Sequence, residues 1–374
     1  MCDTTTDFLS LALSGVQALR PYQPGKPLEE LEREYGITQA IKLASNENPL
    51  GPSPKAVACI KGELNELARY PDGNGFALKS KLATKLDVDA NQITLGNGSN
   101  DVLELLARAY VGVDDEVIFS QHAFAVYPIV TQAVGGKAVI TAAKDWGHDL
   151  DAMRDAITDR TRLIFVANPN NPTGTWLTEN ELKEFIASVP SNVLIVMDEA
   201  YFEYAIHANM MAKGYVSALP WLSEFKNLVV TRTFSKAYGL AGLRIGFSVS
   251  NAQVADVINR VRQPFNVNSL AMAAAEAALD DDEFIEQSVQ MNAIGMQDLI
   301  AAFKQMQLDY IPSVGNFICV KVGDAANVYE GLLREGVIVR PIANYEMPEY
   351  LRITIGTDKE NNRFIAALKK VVKS

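Results

Sequence analysis

Thr231-Arg-Thr-Phe-Ser-Lys-Ala-Tyr-Gly-Leu-Ala-Gly-Leu-Arg-Ile-Gly-Phe247 decides how this chain is read. The apolar run Asn227-Leu-Val-Val230 ahead of it predicts a buried strand, so the polar residues follow the strand's end. Lys236 adjoins Ser235, and Arg244 comes eight residues later. Gly239, Gly242 and Gly246 are expected to admit close backbone approach. Burial disfavours the charged form of a lysine and frees its amine as a nucleophile toward an aldehyde. Ser235 and Arg244 offer hydrogen bonds to a phosphate, the arginine through its planar fork. An amine for an aldehyde beside donors for a phosphate is the pattern of a pyridoxal phosphate site. Alone, a Ser-Lys pair at a strand–helix junction reads more readily as a surface feature, so the rest of the chain must decide.

The chain has 374 residues, a length that suggests two domains. Its net charge of −11 argues against a broad nucleic-acid or anionic-membrane surface, but not against a small basic pocket. Cys2, Cys59 and Cys319 are odd in number and far apart, which speaks against a disulfide framework and for a reducing, cytoplasmic setting. His122, His148 and His207 lack metal-ligand spacing, so no metal is expected. No apolar run approaches membrane-spanning length, and the N-terminus lacks the basic start of a signal peptide. Phe8, Leu9, Ala12, Val16 and Leu19 fall near helical spacing and predict a short amphipathic arm packed on protein.

Pro21, Pro24 and Pro27 mark an extended connector, and the loop Asn46-Glu-Asn-Pro-Leu-Gly-Pro-Ser-Pro54 leads into a helix. Then strands are predicted at 92–95, 116–119, 137–141, 162–167, 193–197, 228–230 and 245–249. Helices at 76–86, 101–111, 149–157, 179–189 and 251–262 alternate with them. This is the pattern of an α/β fold with a mostly parallel sheet covered on both faces. Beyond residue 263 the pattern changes to α+β, with helices at 270–279, 283–306, 328–335 and 361–373 and strands at 317–322, 337–339 and 351–355. The expected division is 1–49 as arm and part of a small domain, 50–265 as a large domain, and 266–374 as the small C-terminal domain.

Ligands of open parallel sheets bind beyond the carboxyl ends of the strands, and several polar segments fall there. Gly96-Asn-Gly-Ser-Asn-Asp101 opens a helix whose N–H groups suit a phosphate, though a glycine turn with an N-cap explains it as well. Asn168-Pro-Asn-Asn-Pro-Thr-Gly174 would present Asn171 rigidly, or is an ordinary turn. Asp198 ends a buried strand and needs a partner, either a protonated pyridine nitrogen or an N-cap. Tyr201 lies three residues on, and Phe124 is either a stacking face or a core aromatic.

The order phosphate loop, aromatic, asparagine loop, aspartate strand, lysine, arginine resembles the fold type I aminotransferases, class II, and within them the histidinol-phosphate aminotransferases. The resemblance runs from Pro21 to the last helix. Its most specific pieces are Lys42-Leu-Ala-Ser-Asn-Glu-Asn-Pro-Leu-Gly, Arg69-Tyr-Pro-Asp72, Asn170-Asn-Pro-Thr-Gly, Asp198-Glu-Ala-Tyr and the lysine segment. It implies a large domain with a mostly parallel sheet, a smaller α+β domain, and pyridoxal 5'-phosphate bound covalently to Lys236. Lys236 would also move the proton between substrate carbon and cofactor. Asp198 matches the aspartate beneath the pyridine nitrogen, Asn171 and Tyr201 the pair on the phenolic oxygen. Gly98, Ser99, Asn100, Ser235 and Arg244 match the phosphate cup. Tyr70 matches a tyrosine that reaches the neighbouring subunit's cofactor, implying a homodimer with shared sites. Phe124 stands where many relatives have tyrosine, so stacking is kept and a phenolic hydrogen bond is lost. Asn100-Asp101 departs from the commoner Asp-Glu.

By the same resemblance Arg352 grips an anionic substrate group, Arg340 is a second anion ligand and Tyr22 a lid residue. The alternative reading of Arg340, Tyr22 and Arg352, the less favoured one, is as surface ion-pair groups. One pocket must take histidinol phosphate, with its phosphate, and glutamate, with two carboxylates; arginine forks suit both. The reaction implied converts L-histidinol phosphate and 2-oxoglutarate to imidazole acetol phosphate and glutamate, in histidine biosynthesis. The alternatives are an aminotransferase for phenylalanine or tyrosine, a decarboxylase of a phosphorylated amino acid, and a cofactor-binding regulatory domain.

Overall fold

The computed structural model describes residues 7–208 and 212–372. Its strands, in chain order, are β1 (Ile41–Lys42), β2 (Ile93–Gly96), β3 (Glu116–Ser120), β4 (Lys137–Thr141), β5 (Ala143–Lys144), β6 (Gly147–His148), β7 (Thr161–Ala167) and β8 (Leu194–Asp198). They continue with β9 (Leu228–Thr233), β10 (Gly246–Ser250), β11 (Tyr310–Ile311), β12 (Phe317–Lys321), β13 (Val337–Ile338), β14 (Arg340–Pro341) and β15 (Tyr350–Thr354). Seven of them form one sheet in the order β2-β10-β9-β8-β7-β3-β4. Only β10 runs against its neighbours. The interior strands β8, β9 and β10 are buried along their whole length, as a sheet covered on both faces requires. Helices occur where the periodicity places them, and the fold class is α/β as expected.

A four-stranded antiparallel sheet, β11-β12-β15-β14, follows in the C-terminal part. Phe303, Ile318, Leu351 and Phe364 pack there in one apolar cluster. Leu43 belongs to that cluster, and β1 pairs in parallel with β13, so an N-terminal segment is stitched to C-terminal strands.

The arm departs from expectation. Only Ser14–Gln17 is helical, and Phe8, Leu9, Leu11 and Leu13 are exposed, because no surface of this chain covers them. The connector is extended to Pro27, but a helix follows at once over Leu28–Tyr35, with Glu29 and Glu30 in its first turn and Gly36 closing it at φ 69°. Helices at Val126–Ala133 and Phe202–His207 are further elements the periodicity did not announce. The last helix begins at Asp358 and is described to Val372; Lys373 and Cys2 lie outside the described residues. No described helix is long and apolar enough to cross a membrane.

The three glycines of the lysine segment separate. A Cβ on Gly239 would lie 2.1 Å from the carbonyl oxygen of Gly51, and its φ is +69°. Gly246 is also pressed against backbone, whereas Gly242 faces open space. The Gly239 contact clamps the lysine loop to the Asn46–Pro54 loop. Gly239→Ala is therefore expected to cost about 2 kcal/mol, and Gly242→Ala within about 0.5 kcal/mol, compared by urea unfolding midpoints.

Candidate active site

The carboxyl ends of β7, β8 and β9 deliver Asn171, Asp198 and Lys236 into one cleft. Both peptide bonds Asn168–Pro169 and Asn171–Pro172 are cis. Lys236 keeps part of its surface open to the cleft but is otherwise enclosed by protein. Its Nζ donates to the carbonyl oxygen of Ser45 at 3.2 Å. Desolvation, reinforced by the Arg352 and Arg244 guanidiniums, pulls its pKa down to about 7.

Asp198 is buried at the end of β8. Tyr127 donates to its Oδ2 at 2.9 Å and Thr231 to its Oδ1 at 3.2 Å. These are neutral hydroxyls, and burial raises the carboxyl's pKa. A buried carboxylate so placed would be stabilised by a cationic N–H from a ligand. Tyr127 went unnoticed in the sequence; its signal, a tyrosine one helical turn after Phe124, is no different from that of a core aromatic. It is fully enclosed and stacks on Phe165 at 4.6 Å.

At the other end of the cleft Arg244 donates to Ser235 Oγ at 3.2 Å. Gly98, at φ +80°, precedes the helix Ser99–Tyr110, and a Cβ there would fall 2.6 Å from Arg244 Nη2. Glycine thus lets the guanidinium lie against a helix N-terminus, an arrangement that suits a phosphate. Asn100 is in the first turn of that helix. Asp101 instead ties the loop together, accepting from the Asn97 backbone at 2.8 Å and from Asn266 at 2.9 Å.

Tyr201 and Phe124 line the cleft, Phe124 edge-on to Tyr127 at 5.9 Å. Burial raises the Tyr201 pKa to about 12, so its hydroxyl stays protonated. Arg352 is buried, donating to Asn171 Oδ1 at 2.5 Å and to the Ala44 carbonyl at 2.9 Å, while its Nε has no partner. With Oδ1 taken, Asn171 retains its Nδ2 as a donor toward the cleft. Arg340 donates to the Gln23 carbonyl at 2.7 Å and lies over the Tyr22 ring at 5.7 Å. Tyr22 is half-exposed at the mouth, and Tyr345, which sequence reasoning missed, adds another ring to the wall. Tyr70 alone is not brought to the cleft. It is 83% exposed and stacks on Phe265 at 4.8 Å.

The sequence profile of the family described as aminotransferase class I and II matches residues 38–368. The chain belongs to that family. It is 60% identical over 369 residues to histidinol-phosphate aminotransferase 2 of Pseudomonas fluorescens, covering 98% of both chains. The enzyme of that name from Pseudomonas aeruginosa is 59% identical over 370 residues, covering 98% of this chain and 99% of the relative. Among solved structures, histidinol-phosphate aminotransferase from Sinorhizobium meliloti in complex with pyridoxal-5'-phosphate superposes with a TM-score of 0.86 at 27% identity, covering 96% and 97% of the two chains.

Lys236 should react unlike any ordinary lysine. Trapping of a small aldehyde by borohydride, mapped by mass spectrometry, is expected to rise with pH about a midpoint near 7 at Lys236. A lysine free in water titrates near ~10.4.

Proposed function

We propose that the chain is a pyridoxal 5'-phosphate-dependent aminotransferase that converts L-histidinol phosphate and 2-oxoglutarate to imidazole acetol phosphate and glutamate, in histidine biosynthesis. The observation that carries the chemistry is the Lys236 amine, lowered to about 7 in a cleft that has a buried carboxylate at one end and an arginine cup at the other. The substrate assignment rests on the two relatives of about 60% identity that bear this name over nearly the whole chain.

The residues fit the cofactor. Asp198, whose present partners are neutral, would hold its pyridine N–H; Gly98, Ser99, Asn100, Ser235 and Arg244 its phosphate; Phe124 its ring face. Asn171 Nδ2 and the Tyr201 hydroxyl would donate to its phenolic oxygen. When bound, the cofactor supplies an aldehyde and an electron-accepting ring. Lys236 Nζ would hold the cofactor's aldehyde carbon and would carry the proton from the substrate carbon and back. A pKa near 7 suits both directions at neutral pH. Arg352 and Arg340 bind the substrate's anionic groups, and Tyr22 closes over the mouth. Cation–anion pairing at buried Arg352 is strong because its guanidinium is already desolvated and its Nε unpartnered.

The same reading makes the protein a homodimer. Tyr70, Phe265, Leu67 and Phe76 expose aromatic and aliphatic surface, which supports a covering partner, with Tyr70 reaching the partner's phosphate cup. It also divides the chain into an arm with part of the small domain over 1–49, a large domain over 50–265 and a small domain over 266–374. The pairing of β1 with β13 supports the first of these. Free Cys59 and Cys319 support a cytoplasmic setting.

The aromatic wall of Phe124, Tyr22 and Tyr345 favours one second reading, an aminotransferase for phenylalanine or tyrosine. A coupled assay of purified protein decides between them. Histidinol phosphate is expected to outcompete phenylalanine in kcat/KM; the reverse order, or release of carbon dioxide without amino transfer, overturns the assignment. Lys236→Ala should lose turnover and the covalent cofactor bond together. Arg352→Ala should raise KM for both histidinol phosphate and 2-oxoglutarate by about 30-fold or more.

A further inference from the structure

Asn46 is buried with its backbone at φ +55°, and three hydrogen bonds fix which way its side chain faces. Its backbone N–H can only donate, and does so to Thr354 Oγ1 at 2.9 Å. Thr354 then directs its own proton to Asn46 Oδ1 at 3.2 Å. That leaves Asn46 Nδ2 to donate to the Tyr201 hydroxyl at 2.8 Å. Turning the amide over would aim two donors at the Thr354 oxygen and leave the threonine proton without this acceptor. Since the Tyr201 oxygen already accepts from Asn46, its single proton points elsewhere, and Tyr201 lines the cleft that would receive it.

We propose that Thr354 and Asn46 are positioning residues: a one-way hydrogen-bond relay that holds Tyr201 as a proton donor to the cofactor's phenolic oxygen. This rests on the pyridoxal phosphate reading given above. The relay starts on β15, the strand that also carries Arg352 two residues away on the same face. A hydrogen bond donated to the phenolic oxygen weakens its hold on the neighbouring shared proton, so the relay lowers the pH at which the bound cofactor titrates.

The test is the pH titration of the visible absorbance of the holoprotein, which needs no turnover. Asn46→Asp keeps a residue that tolerates positive φ but offers Tyr201 an acceptor in place of a donor. It should raise the midpoint by about one unit. Asn46→Gly, which keeps the backbone and removes the side chain, and Thr354→Val should give smaller rises, with Thr354→Ser close to wild type. In a Tyr201→Phe background Asn46→Asp should add nothing. An Asn46→Asp midpoint within about 0.2 units of wild type, or an equal rise in the Tyr201→Phe background, overturns the relay alone. A wild-type protein that acquires no cofactor band overturns both the relay and the site reading beneath it.

Discussion

Removing one amine and one carboxylate from water in the same cleft, without letting them neutralise each other in a direct ion pair, is the constraint the site depends on. Lys236 is answered by a backbone carbonyl and crowded by guanidiniums; Asp198 is answered by two hydroxyls. Each group is thus shifted toward its neutral form, the amine downward and the carboxyl upward. A direct pair would hold both groups charged and would block a ligand from entering between them. The cost of keeping them apart is borne by the strands β8, which ends in Asp198, and β9, which leads into the Lys236 loop.

Those strands also sort two chemistries by side-chain alternation. Asp198 and Thr231 are register partners on β8 and β9 and face the cleft together. The next residues, Glu199 and Arg232, turn the other way and form a buried pair, Arg232 Nε and Nη2 reaching Glu199 Oε2 at 3.1 and 2.8 Å. Glu199 Oε1 is filled by the Ala218 N–H at 2.7 Å, and the guanidinium lies 3.6 Å from the Phe202 ring centre. A buried pair with its remaining hydrogen bonds met need not add net stability. Removing either partner, however, leaves a charge stranded. Its effect here is to fix the strand ends whose preceding residues carry Asp198 and its hydroxyl donor.

Most of the large sheet was legible because its strands are short apolar runs alternating with amphipathic helices, and that period survives without context. The helix Leu28–Tyr35 was hidden by three preceding prolines that argue for extended chain, although Pro27, the two glutamates and Gly36 mark its ends. The arm was misjudged for the opposite reason: helical spacing of apolar residues promises a surface to pack on, and within this chain there is none for Phe8 or Leu9. Lys236, Asp198, Asn171 and Arg244 were legible because they sit at strand ends inside dense local motifs. Tyr127, Tyr345 and Asn46 were not, because their significance lies in which hydroxyl, ring or amide they meet across more than 70 residues of chain.

The same distinction explains why the C-terminal part matters to chemistry carried by the large sheet. Arg352 and Thr354 are separated by one residue on β15, so both side chains leave the same face of that strand. One occupies the oxygen of Asn171 and leaves its nitrogen as a donor; the other orients Asn46, which occupies the oxygen of Tyr201 and leaves its proton free. Both donors aimed into the cleft therefore take their polarity from a strand that contributes nothing to the seven-stranded sheet. A shift of β15 by a fraction of a hydrogen-bond length would loosen both donors together while leaving Asp198 and its hydroxyls in place. The carboxylate end of the cleft is thus held by the large sheet and the helix Val126–Ala133, and the hydrogen-bond-donating end by the contact between the two sheets.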